Sequence, residues 1–417
     1  MKKLKITGAN KLSGTIRIGG AKNSAVALIP AAILANDDVT ICNVPEITDT
    51  DALVEILEYL GAKVTRASES LVINPTVVKV LDIPEVLSKK LRASYYFLGA
   101  LLGKYKHAEM SFPGGCSIGE RPINLHLKGF EALGAKVTVD KNKYIIDAEE
   151  LKGAKIYLDI ARVGATINIM LASVYAKGET VIDNAAKEPE IVNVATFLNS
   201  MGAKISGAGT STIRIKGVNS LKGGFTEVIP DRIEAGTYIL AGALCGDNLK
   251  IDNIIPEHIE SLTSKLREMG VSMEISYDSI VVSSVETLKP TNIETAVYPG
   301  FPTDLQQPFM VLLTQASGKS EVEENIWENR FMQVPYLNKM GANIKVKGNV
   351  SIIEGKTDLR GNEVVATDLR AGACMVLAAL TANGTTTIQD VGHILRGYEN
   401  IVGKLKNVAA DIELIDE

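Results

Sequence analysis

Cys116 stands in a segment whose composition could give a reactive thiol. Residues 113–122 read PGGCSIGERP, with a proline at each end and three glycines that free the backbone. A thiol becomes nucleophilic when it is exposed and close to positive charge. We expect the segment to provide the exposure and Arg121 to provide the charge. The alternative is a surface Ω-loop with an inert cysteine, which the segment taken alone favours.

Cationic side chains recur at the predicted starts of the most apolar helices. A cation at a helix N-terminus is locally unfavourable by a few tenths to ~1 kcal/mol, so its repetition indicates another purpose. Helix N-termini combined with Arg or Lys bind phosphates and carboxylates. The alternative is pairing with nearby carboxylates, which we retain for Arg162 and Arg232. The cationic residues are Lys22, Arg92, Arg162, Arg232 and Arg370.

Asp304 ends a proline-stiffened segment, residues 298–304, at the predicted start of a helix. One interpretation is a helix N-cap, the commoner role for an aspartate in this position. The other is a general base held rigidly against a substrate hydroxyl. Arg396 lies beside Gly397 and is predicted to begin the last helix. For His126, a hydrogen-bonded structural role is favoured over contact with a ligand.

The chain lacks the common cofactor and metal motifs. It has no Walker A loop, no HExxH, no CxxC pair and no strand-linked GxGxxG. The four histidines are scattered without metal-ligand spacing. Cys245 and Cys374 lie in apolar helical patterns and are predicted to be buried. The sequence thus carries none of these metal or cofactor motifs, and we expect no structural disulfide.

Length and composition indicate a protein of two or three domains. Of 417 residues, 46% are hydrophobic but only 5% are aromatic, which favours an aliphatic core between helices and sheets. The net charge of -5 argues against a nucleic-acid binder. The N-terminus has no apolar signal region, and the apolar residues 25–35 fall short of the ~20 that cross a bilayer. These features predict a cytoplasmic protein without membrane insertion.

A motif related to Leu-Gly-Ala-Lys-Val occurs six times, and this repetition predicts the architecture. The copies are centred on Gly61, Gly134, Gly202, Gly270, Gly341 and Ala409, at intervals of 68 to 73 residues. Repeats of this length indicate one supersecondary unit copied several times. In each unit an amphipathic helix ends at the glycine, two strands follow, and a very apolar helix comes later.

The two ends of the chain supply complementary halves of one repeat. The sixth copy stops after its first strand, and the N-terminus begins with a strand that the sixth copy lacks. We therefore predict α/β (α+β) architecture in two similar barrel-like domains of three repeats each. One domain is residues 21–229 with the Cys116 segment, and the other is residues 1–20 plus 230–417, closed by pairing the first and last strands. An open solenoid is disfavoured, because its terminal repeats would be polar caps.

These motifs together resemble the enolpyruvyl transferase family, and within it the members that act on UDP-N-acetylglucosamine. The resemblance runs from end to end and is most specific in the Lys22-Asn23 motif and the Cys116 segment. It is carried by residues 19–25, 91–94, 113–122, 163–166, 188–190, 230–234, 301–304, 328–332, 367–371 and 396–398.

The resemblance implies two inside-out α/β barrels with the active site in the cleft between them. It implies transfer of the enolpyruvyl group of phosphoenolpyruvate to the 3-hydroxyl of UDP-N-acetylglucosamine, with release of phosphate and without a cofactor. This is the first committed step of peptidoglycan synthesis. The alternatives are the shikimate-3-phosphate enolpyruvyl transferase, disfavoured by the Cys116 segment, and a non-catalytic UDP-sugar-binding relative.

The resemblance also implies roles for individual residues. Cys116 matches the cysteine of acid catalysis or product release, which is captured covalently by phosphoenolpyruvate or fosfomycin, and its segment is the expected lid. Asp304 is the implied base and contacts the sugar with Asn23. Two residues differ from the family pattern. Asn124 stands where some relatives have aspartate, and Arg162 stands where a small residue is expected. The residues implied around the phosphate and carboxylate are Lys22, Arg92, Arg121, Arg370 and Arg396, and those along the uridine and diphosphate are Arg121, Pro122, Ile123, Asn124, Leu125, Val163, Gly164 and Ile326.

Overall fold

A computed structural model describes residues 2–114 and 122–416 of the chain. Cys116 and Arg121 lie outside these described residues. Within the described ranges the structure has 24 strands and 14 α-helices. Short 3-10 helices add Ala32–Leu34, Arg92–Tyr95 and Pro256–Ile259.

The strands are β1 Lys2–Thr7, β2 Leu12–Arg17, β3 Val39–Cys42, β4 Lys63–Ala67, β5 Ser70–Asn74, β6 Asp82–Ile83, β7 His107–Ser111, β8 Lys136–Asp140, β9 Lys143–Asp147, β10 Lys155–Tyr157, β11 Glu179–Asp183, β12 Lys204–Ser206, β13 Thr212–Lys216, β14 Gly224–Glu227, β15 Gly246–Asp252, β16 Ser272–Ile275, β17 Ser279–Ser283, β18 Ile293–Glu294, β19 Gly318–Glu323, β20 Ile344–Lys347, β21 Val350–Gly355, β22 Glu363–Val365, β23 Thr385–Gln389 and β24 Asp411–Asp416.

The α-helices are α1 Lys22–Ala31, α2 Thr48–Leu60, α3 Glu85–Ser88, α4 Tyr96–Tyr105, α5 Asn124–Ala132, α6 Val163–Ser173, α7 Pro189–Ser200, α8 Arg232–Cys245, α9 Glu260–Met269, α10 Thr303–Thr314, α11 Val334–Lys339, α12 Leu369–Thr381, α13 Gly392–Leu395 and α14 Ile401–Lys406.

The strands of the described ranges form six four-stranded sheets that share one pattern. In the sheet β6-β7-β9-β8, for example, β6 and β7 are parallel, while β7 pairs with β9 and β9 with β8 in antiparallel register. The parallel pair needs a crossover, which the apolar helix α4 provides, and the hairpin β8–β9 needs only a short turn. The other sheets are β14-β3-β5-β4, β10-β11-β13-β12, β16-β17-β15-β2, β18-β19-β21-β20 and β22-β23-β1-β24. The six repeats predicted from the sequence are thereby confirmed.

The first strand completes the last sheet. β1 pairs antiparallel with β24, where Leu4 faces Leu414, and with β23 on its other side, where Leu4 faces Ile388. β1 thus takes the position that the second hairpin strand occupies in the other sheets. Leu4 and Ile6 are fully buried, so burial fixes the register of this closing strand. The predicted pairing of the first and last strands is confirmed.

The chain forms two compact units, each with three of the sheets and its own hydrophobic core. One unit contains residues 20–114 and 122–229 and buries α1, α4 and α6. The other contains residues 2–19 and 230–416 and buries α8, α10 and α12. β2 pairs with β15 in one unit, and the chain continues from it into α1 of the other unit. β14 pairs with β3 in that other unit, and the chain continues from it into α8 of the first. The chain therefore passes from one unit to the other twice.

Glycine residues account for the close packing of two buried helices and for the end of an amphipathic helix. Gly99 lets α4 approach α6, since a Cβ atom there would lie 2.2 Å from the Asn168 Oδ1 atom. The amphipathic helix α2 ends at Gly61, whose φ of 104° is the left-handed conformation that favours glycine. Cys245 and Cys374 are buried, as predicted. Across the described ranges, no helix has both the length and the apolar character to cross a membrane.

Candidate active site

The predicted starts of the apolar helices are confirmed in five of the six repeats, whereas α4 begins at Tyr96 and not at Arg92. The cationic residues occupy related but different positions at these starts. Lys22 begins α1 and Arg232 begins α8, while Arg370 is the second residue of α12. Arg92 begins the 3-10 turn that leads into α4, and Arg162 is the N-cap residue of α6.

Asp304 is held by two arginines of its unit, Arg330 from the segment between β19 and α11, and Arg370 from α12. The Arg330 Nη2 atom lies 2.7 Å from Asp304 Oδ1, and the Arg370 Nη2 atom lies 2.9 Å from Asp304 Oδ2. Both guanidinium groups are buried, with side chains only 3% and 5% exposed, whereas that of Asp304 is 27% exposed. Two charge-assisted hydrogen bonds hold the carboxylate in one orientation. The N-cap interpretation of Asp304 is wrong, because Pro302 occupies the N-cap of α10 and Asp304 is its second helical residue.

Arg370 is fixed by an aromatic partner as well as by Asp304. Its Nη1 atom donates to the Tyr398 hydroxyl at 3.2 Å, and its guanidinium lies 5.6 Å from the centre of the Tyr398 ring. The Tyr398 hydroxyl in turn lies 2.9 Å from Thr237 Oγ1. Burial is the largest single effect and lowers the pKa of Arg370, but the charges of Asp304, Tyr398 and Asp231 and the hydrogen bond to Tyr398 together outweigh it and raise the pKa. Arg370 therefore stays charged, and burial raises the pKa of Tyr398, which stays neutral.

The aspartates beside the cationic residues act as helix caps. Asp368 Oδ1 accepts from the backbone N–H groups of Arg370 and Ala371 at 2.8 and 3.1 Å. Asp231 Oδ1 caps α8 in the same way. The Arg370 side chain pairs with Asp304 from another repeat, and the Arg232 guanidinium lies 5.4 Å from the Tyr298 ring centre.

A buried polar network lies next to Arg330. Asp368, 1% exposed, lies 3.9 Å from Arg330 Nη1. Its second oxygen accepts from Gln307 Nε2 at 3.3 Å, and the same Nε2 donates to Gln333 Oε1 at 2.9 Å. Both glutamines are fully buried. Such a network restricts the rotamers of the groups it contacts, so Arg330 is presented to Asp304 in a defined position.

Arg396 does not begin the last helix, and this prediction is wrong. Arg396 is the half-buried residue that follows α13, and α14 begins five residues later at Ile401. Asn400 provides the actual start signal. Its side chain accepts from the Gly403 N–H at 3.2 Å, and its φ of 44° turns the chain into the helix. A side-chain cap at Asn400 decides where the helix starts, and Arg396 lacks such a cap.

In the other unit, Lys22 is paired with Asp49. The Lys22 Nζ atom lies 3.0 Å from Asp49 Oδ2, and the two side chains are 16% and 5% exposed. Asp49 comes from the first turn of α2. Asn23 is half-buried, and Ser24 donates to Asn193 Oδ1 at 2.5 Å. Lys22 is thus a mostly enclosed ammonium group at the start of a buried helix, which suits an anion-binding role.

His126 has the structural role that the sequence favoured. It is buried, its Nδ1 atom lies 3.0 Å from Asn168 Nδ2, and its ring meets the Tyr95 ring edge-on at 4.7 Å. Burial, and after it the charge of Arg92, lowers the pKa of His126 to about 3. The imidazole is therefore neutral near pH 7. Burial likewise lowers the pKa of the half-buried Arg92, although nearby tyrosines oppose this effect.

The expected nucleotide contacts differ in their packing and exposure. Gly164 is packed closely, since a Cβ atom there would lie 2.6 Å from the Tyr95 hydroxyl and 3.1 Å from His126 Cε1. Ile123 is the buried N-cap residue of α5. Pro122 and Asn124 are exposed, and Leu125, Val163 and Ile326 are half-buried.

Several residues of these clusters had no role assigned from the sequence. Arg330, Asp49 and Tyr398 are the main ones, and Arg330 and Tyr398 lie inside motifs that carry the family resemblance. Asp49 has no such signal, because only the packing of α1 and α2 brings it to Lys22. Within the described residues, no group of three or more His, Cys, Asp and Glu side chains could hold a metal ion.

Each unit offers enclosed cations, and one of them also offers an oriented carboxylate. Lys22 and Arg92 in one unit, and Arg330 and Arg370 in the other, can bind anionic groups and follow charge as it develops on them. Asp304 is the partly exposed carboxylate that could accept a proton from a bound hydroxyl.

Comparison with known proteins identifies the relatives of this chain. A sequence model of the family described as EPSP synthase (3-phosphoshikimate 1-carboxyvinyltransferase) matches residues 6–405. UDP-N-acetylglucosamine 1-carboxyvinyltransferase 2 of Bacillus subtilis (strain 168) is 54% identical over 413 residues, which cover 99% of this chain and 96% of that protein.

Solved structures agree with this relationship. The enolpyruvyl transferase NikO from Streptomyces tendae superposes with a TM-score of 0.91 at 28% identity, covering 99% of this chain and 98% of that one. EPSP synthase from Acinetobacter baumannii shares the fold with a TM-score of 0.76 at 18% identity, over the full length of both chains. The inside-out barrel-like architecture expected from the sequence is therefore confirmed, and this chain belongs to the enolpyruvyl transferase family.

Proposed function

We propose that this chain transfers the enolpyruvyl group of phosphoenolpyruvate to the 3-hydroxyl of UDP-N-acetylglucosamine and releases phosphate. The identity of 54% with a full-length relative of that name supports the choice of acceptor. The clamp of Asp304 by Arg330 and Arg370 is the structural observation that carries the proposed chemistry. The reaction would be the first committed step of peptidoglycan synthesis, in the cytoplasm.

The proposed reaction proceeds by addition and elimination. A proton adds to the terminal methylene carbon of phosphoenolpyruvate, and the sugar oxygen bonds to the central carbon as its own proton leaves. The resulting tetrahedral intermediate then loses phosphate, while a proton leaves the methyl carbon to restore the double bond. Negative charge moves between the carboxylate and the leaving phosphate, and fixed cations stabilise it without reorganising.

The cationic residues divide between the two compact units in this proposal. The proposed anion-binding residues are Arg330, Arg370 and the half-buried Arg396 in one unit, and Lys22 and Arg92 in the other. Arg121, which lies outside the described residues, is the remaining proposed cation. Exclusion of water from the site would strengthen each ionic contact.

Asp304 is the proposed base, and its arginine partners are part of that role. While Arg330 and Arg370 both bond to it, the carboxylate is a poor proton acceptor, because a nearby cation favours its charged form. A substrate carboxylate or phosphate would compete for the same guanidinium groups. Substrate binding would therefore weaken the hydrogen bonds from Arg330 and Arg370 to Asp304 when the sugar hydroxyl arrives. Asn23 is the second proposed contact of the sugar.

The remaining assignments follow the resemblance. Pro122, Ile123, Asn124, Leu125, Val163, Gly164 and Ile326 are proposed contacts of the uridine diphosphate. Cys116 is proposed to act in acid catalysis or product release and to form a covalent adduct with the pyruvyl group or with fosfomycin. Neither a metal nor an organic cofactor has a role in this proposal.

Phosphate release with two acceptors tests the proposed function. We expect release from phosphoenolpyruvate with UDP-N-acetylglucosamine and none with shikimate 3-phosphate. Release with shikimate 3-phosphate alone would assign the chain to the other activity of the family. Tight binding of the UDP-sugar without any release would instead indicate a non-catalytic binding protein.

A further inference from the structure

Glu324 is a buried carboxylate that accepts four hydrogen bonds. It follows β19 directly and is 3% exposed. Its Oε1 atom accepts from Thr295 Oγ1 at 2.9 Å, from the Ile326 N–H at 2.8 Å and from the Trp327 N–H at 3.1 Å. Its Oε2 atom accepts from Thr303 Oγ1 at 2.9 Å. A carboxylate offers about four acceptor sites, two on each oxygen, so Oε1 is fully used and Oε2 holds one further hydrogen bond.

The donors around Glu324 are neutral hydroxyl and amide groups. Burying a carboxylate is costly, and neutral donors offset that cost less fully than an ion pair does. A buried carboxylate of this kind adds little to stability compared with an apolar side chain. Its effect is to fix the relative positions of three separate segments, because hydrogen bonds from all three converge on this one carboxylate.

One of these segments leads directly to Asp304. Thr303 is the first residue of α10, immediately before Asp304, and the N-cap residue Pro302 makes no side-chain cap bond. The hydrogen bond from Thr303 Oγ1 to Glu324 anchors the first residue of this helix. Because consecutive residues share a peptide plane, fixing Thr303 also fixes the backbone from which the Asp304 carboxylate extends.

The other segments hold the loop of Ile326. Glu324 Oε1 binds the backbone N–H groups of Ile326 and Trp327, and Thr295 Oγ1 accepts from the Asn325 N–H at 2.8 Å while donating to Glu324. Residues 325–327 are thus tied to the same carboxylate as Thr303. Arg330, the partner of Asp304, follows in the same stretch of chain.

We infer that Glu324 is a positioning residue that fixes the proposed base Asp304 and the proposed nucleotide contact Ile326 relative to each other. The inference rests on the proposed function. It assigns the Thr303 hydroxyl to the alignment of the base and the Thr295 hydroxyl to the alignment of the nucleotide loop. All of these residues belong to one compact unit.

Single threonine substitutions test the two roles separately without removing the central carboxylate. Thr303→Val replaces the hydroxyl by a methyl group and is expected to lower kcat by roughly tenfold to a hundredfold, as misplacement of a reacting group does. Its KM for UDP-N-acetylglucosamine should change little. Thr295→Val should instead raise that KM by roughly tenfold with a smaller effect on kcat, the pattern of lost binding contacts.

Two control variants accompany these measurements. Thr303→Ser restores the hydroxyl and should recover most of the lost kcat. Thr291→Val makes the same change at Thr291, whose hydroxyl bonds to Glu268 on the surface of the same unit, and should leave both constants unchanged. Circular dichroism and thermal unfolding establish that each variant is folded. If Thr303→Val does not fold, Thr303→Ala removes the same hydroxyl and replaces it in the test.

The outcomes separate this inference from the proposed function. A wild-type chain that releases no phosphate with the UDP-sugar overturns both. If the wild-type chain turns over, two results overturn only the role of Glu324. One is a kcat of Thr303→Val within twofold of the wild-type value, and the other is a kcat of Thr303→Ser as low as that of Thr303→Val. Equal effects of Thr303→Val and Thr295→Val on both constants would also contradict the inference, because they would show a general structural role.

Discussion

Asp304 and Arg370 come from different repeats of one compact unit, and their side chains meet at 2.9 Å. Each is the second residue of a buried helix, α10 and α12 respectively. The repeated architecture brings equivalent helix positions together, so a carboxylate on one helix faces a guanidinium on the next.

Asp304→Asn keeps the shape of the side chain but removes its ability to accept a proton. We expect kcat to fall by roughly 10² to 10⁴, the usual contribution of a general base. The amide oxygen can still accept from one arginine, so folding should be retained. Steady-state phosphate release measures the effect, with Asp358→Asn, an exposed aspartate, as the control. A normal kcat would exclude Asp304 from proton transfer.

Lys22→Ala removes an enclosed cation from the proposed phosphate site. We expect turnover to fall at least on the order of 10² to 10³, as when one stabilising donor is removed from a transition state. Lys90→Ala, which breaks an exposed pair with Glu55 in the same unit, should leave turnover unchanged. Near-normal kinetics for Lys22→Ala would place Lys22 outside the site.

Arg330→Met should destabilise the protein, because it leaves buried acceptors without their cation. Arg330 is 3% exposed and lies between Asp304 and the buried Asp368. Removing one partner of a buried pair costs about 3–5 kcal/mol. The matched change Arg360→Met breaks an exposed pair and should cost less than about 1 kcal/mol. Urea unfolding compares the two, and equal losses would contradict the prediction.

His126 should make stability depend on pH below its unfolded pKa. The pKa is about 3 in the folded chain and ~6.5 when unfolded, so between these values the unfolded state binds more protons. Stability therefore rises with pH in this window and is lost as pH falls. His126→Asn should remove this contribution, seen as a shallower dependence of the urea midpoint between pH 4 and 7. An unchanged slope would argue against a neutral buried imidazole.

Fosfomycin should alkylate Cys116 and spare the buried cysteines. Burial raises the pKa of Cys245 to about 11 and that of Cys374 well above its usual range, so both remain protonated near pH 8. A thiol reacts as the thiolate. Peptide mapping after treatment, with and without the UDP-sugar, locates the adduct, and Cys116→Ser is the control. An adduct on the half-buried Cys42 would refute the prediction.

Local patterns in the chain were sufficient for the repeat architecture. The glycines at the helix ends, such as Gly61, signal a left-handed C-cap, and the apolar helices signal burial by their composition. The helix ends and the buried helices depend on backbone hydrogen bonding and on burial within a repeat of about 70 residues, and both are set by neighbouring side chains. The pairing of β1 with β24 instead joins the two ends of the chain. The last repeat stops after its first strand and the N-terminus begins with the missing strand, so this pairing could be predicted because each end held half of one repeat.

Helix boundaries at functional residues were less predictable. Asp304 was compatible with an N-cap until Pro302 was seen in that position, and Arg396 was expected to begin a helix that Asn400 actually caps. In both cases two residues a few positions apart could serve as the boundary. The choice depends on small differences in backbone energy that side-chain types alone do not reveal.

The amino-acid sequence by itself determined the six-fold fold, the family and most of the residues able to do chemistry. Only the tertiary structure decided their partners: Arg330 and Arg370 on Asp304, Asp49 on Lys22, and Thr303 with Ile326 on Glu324. The reason is physical. Helices and hairpins arise from interactions between neighbours in the chain, whereas an ion pair between residues 66 positions apart exists only after the packing of α10 against α12 has placed both side chains.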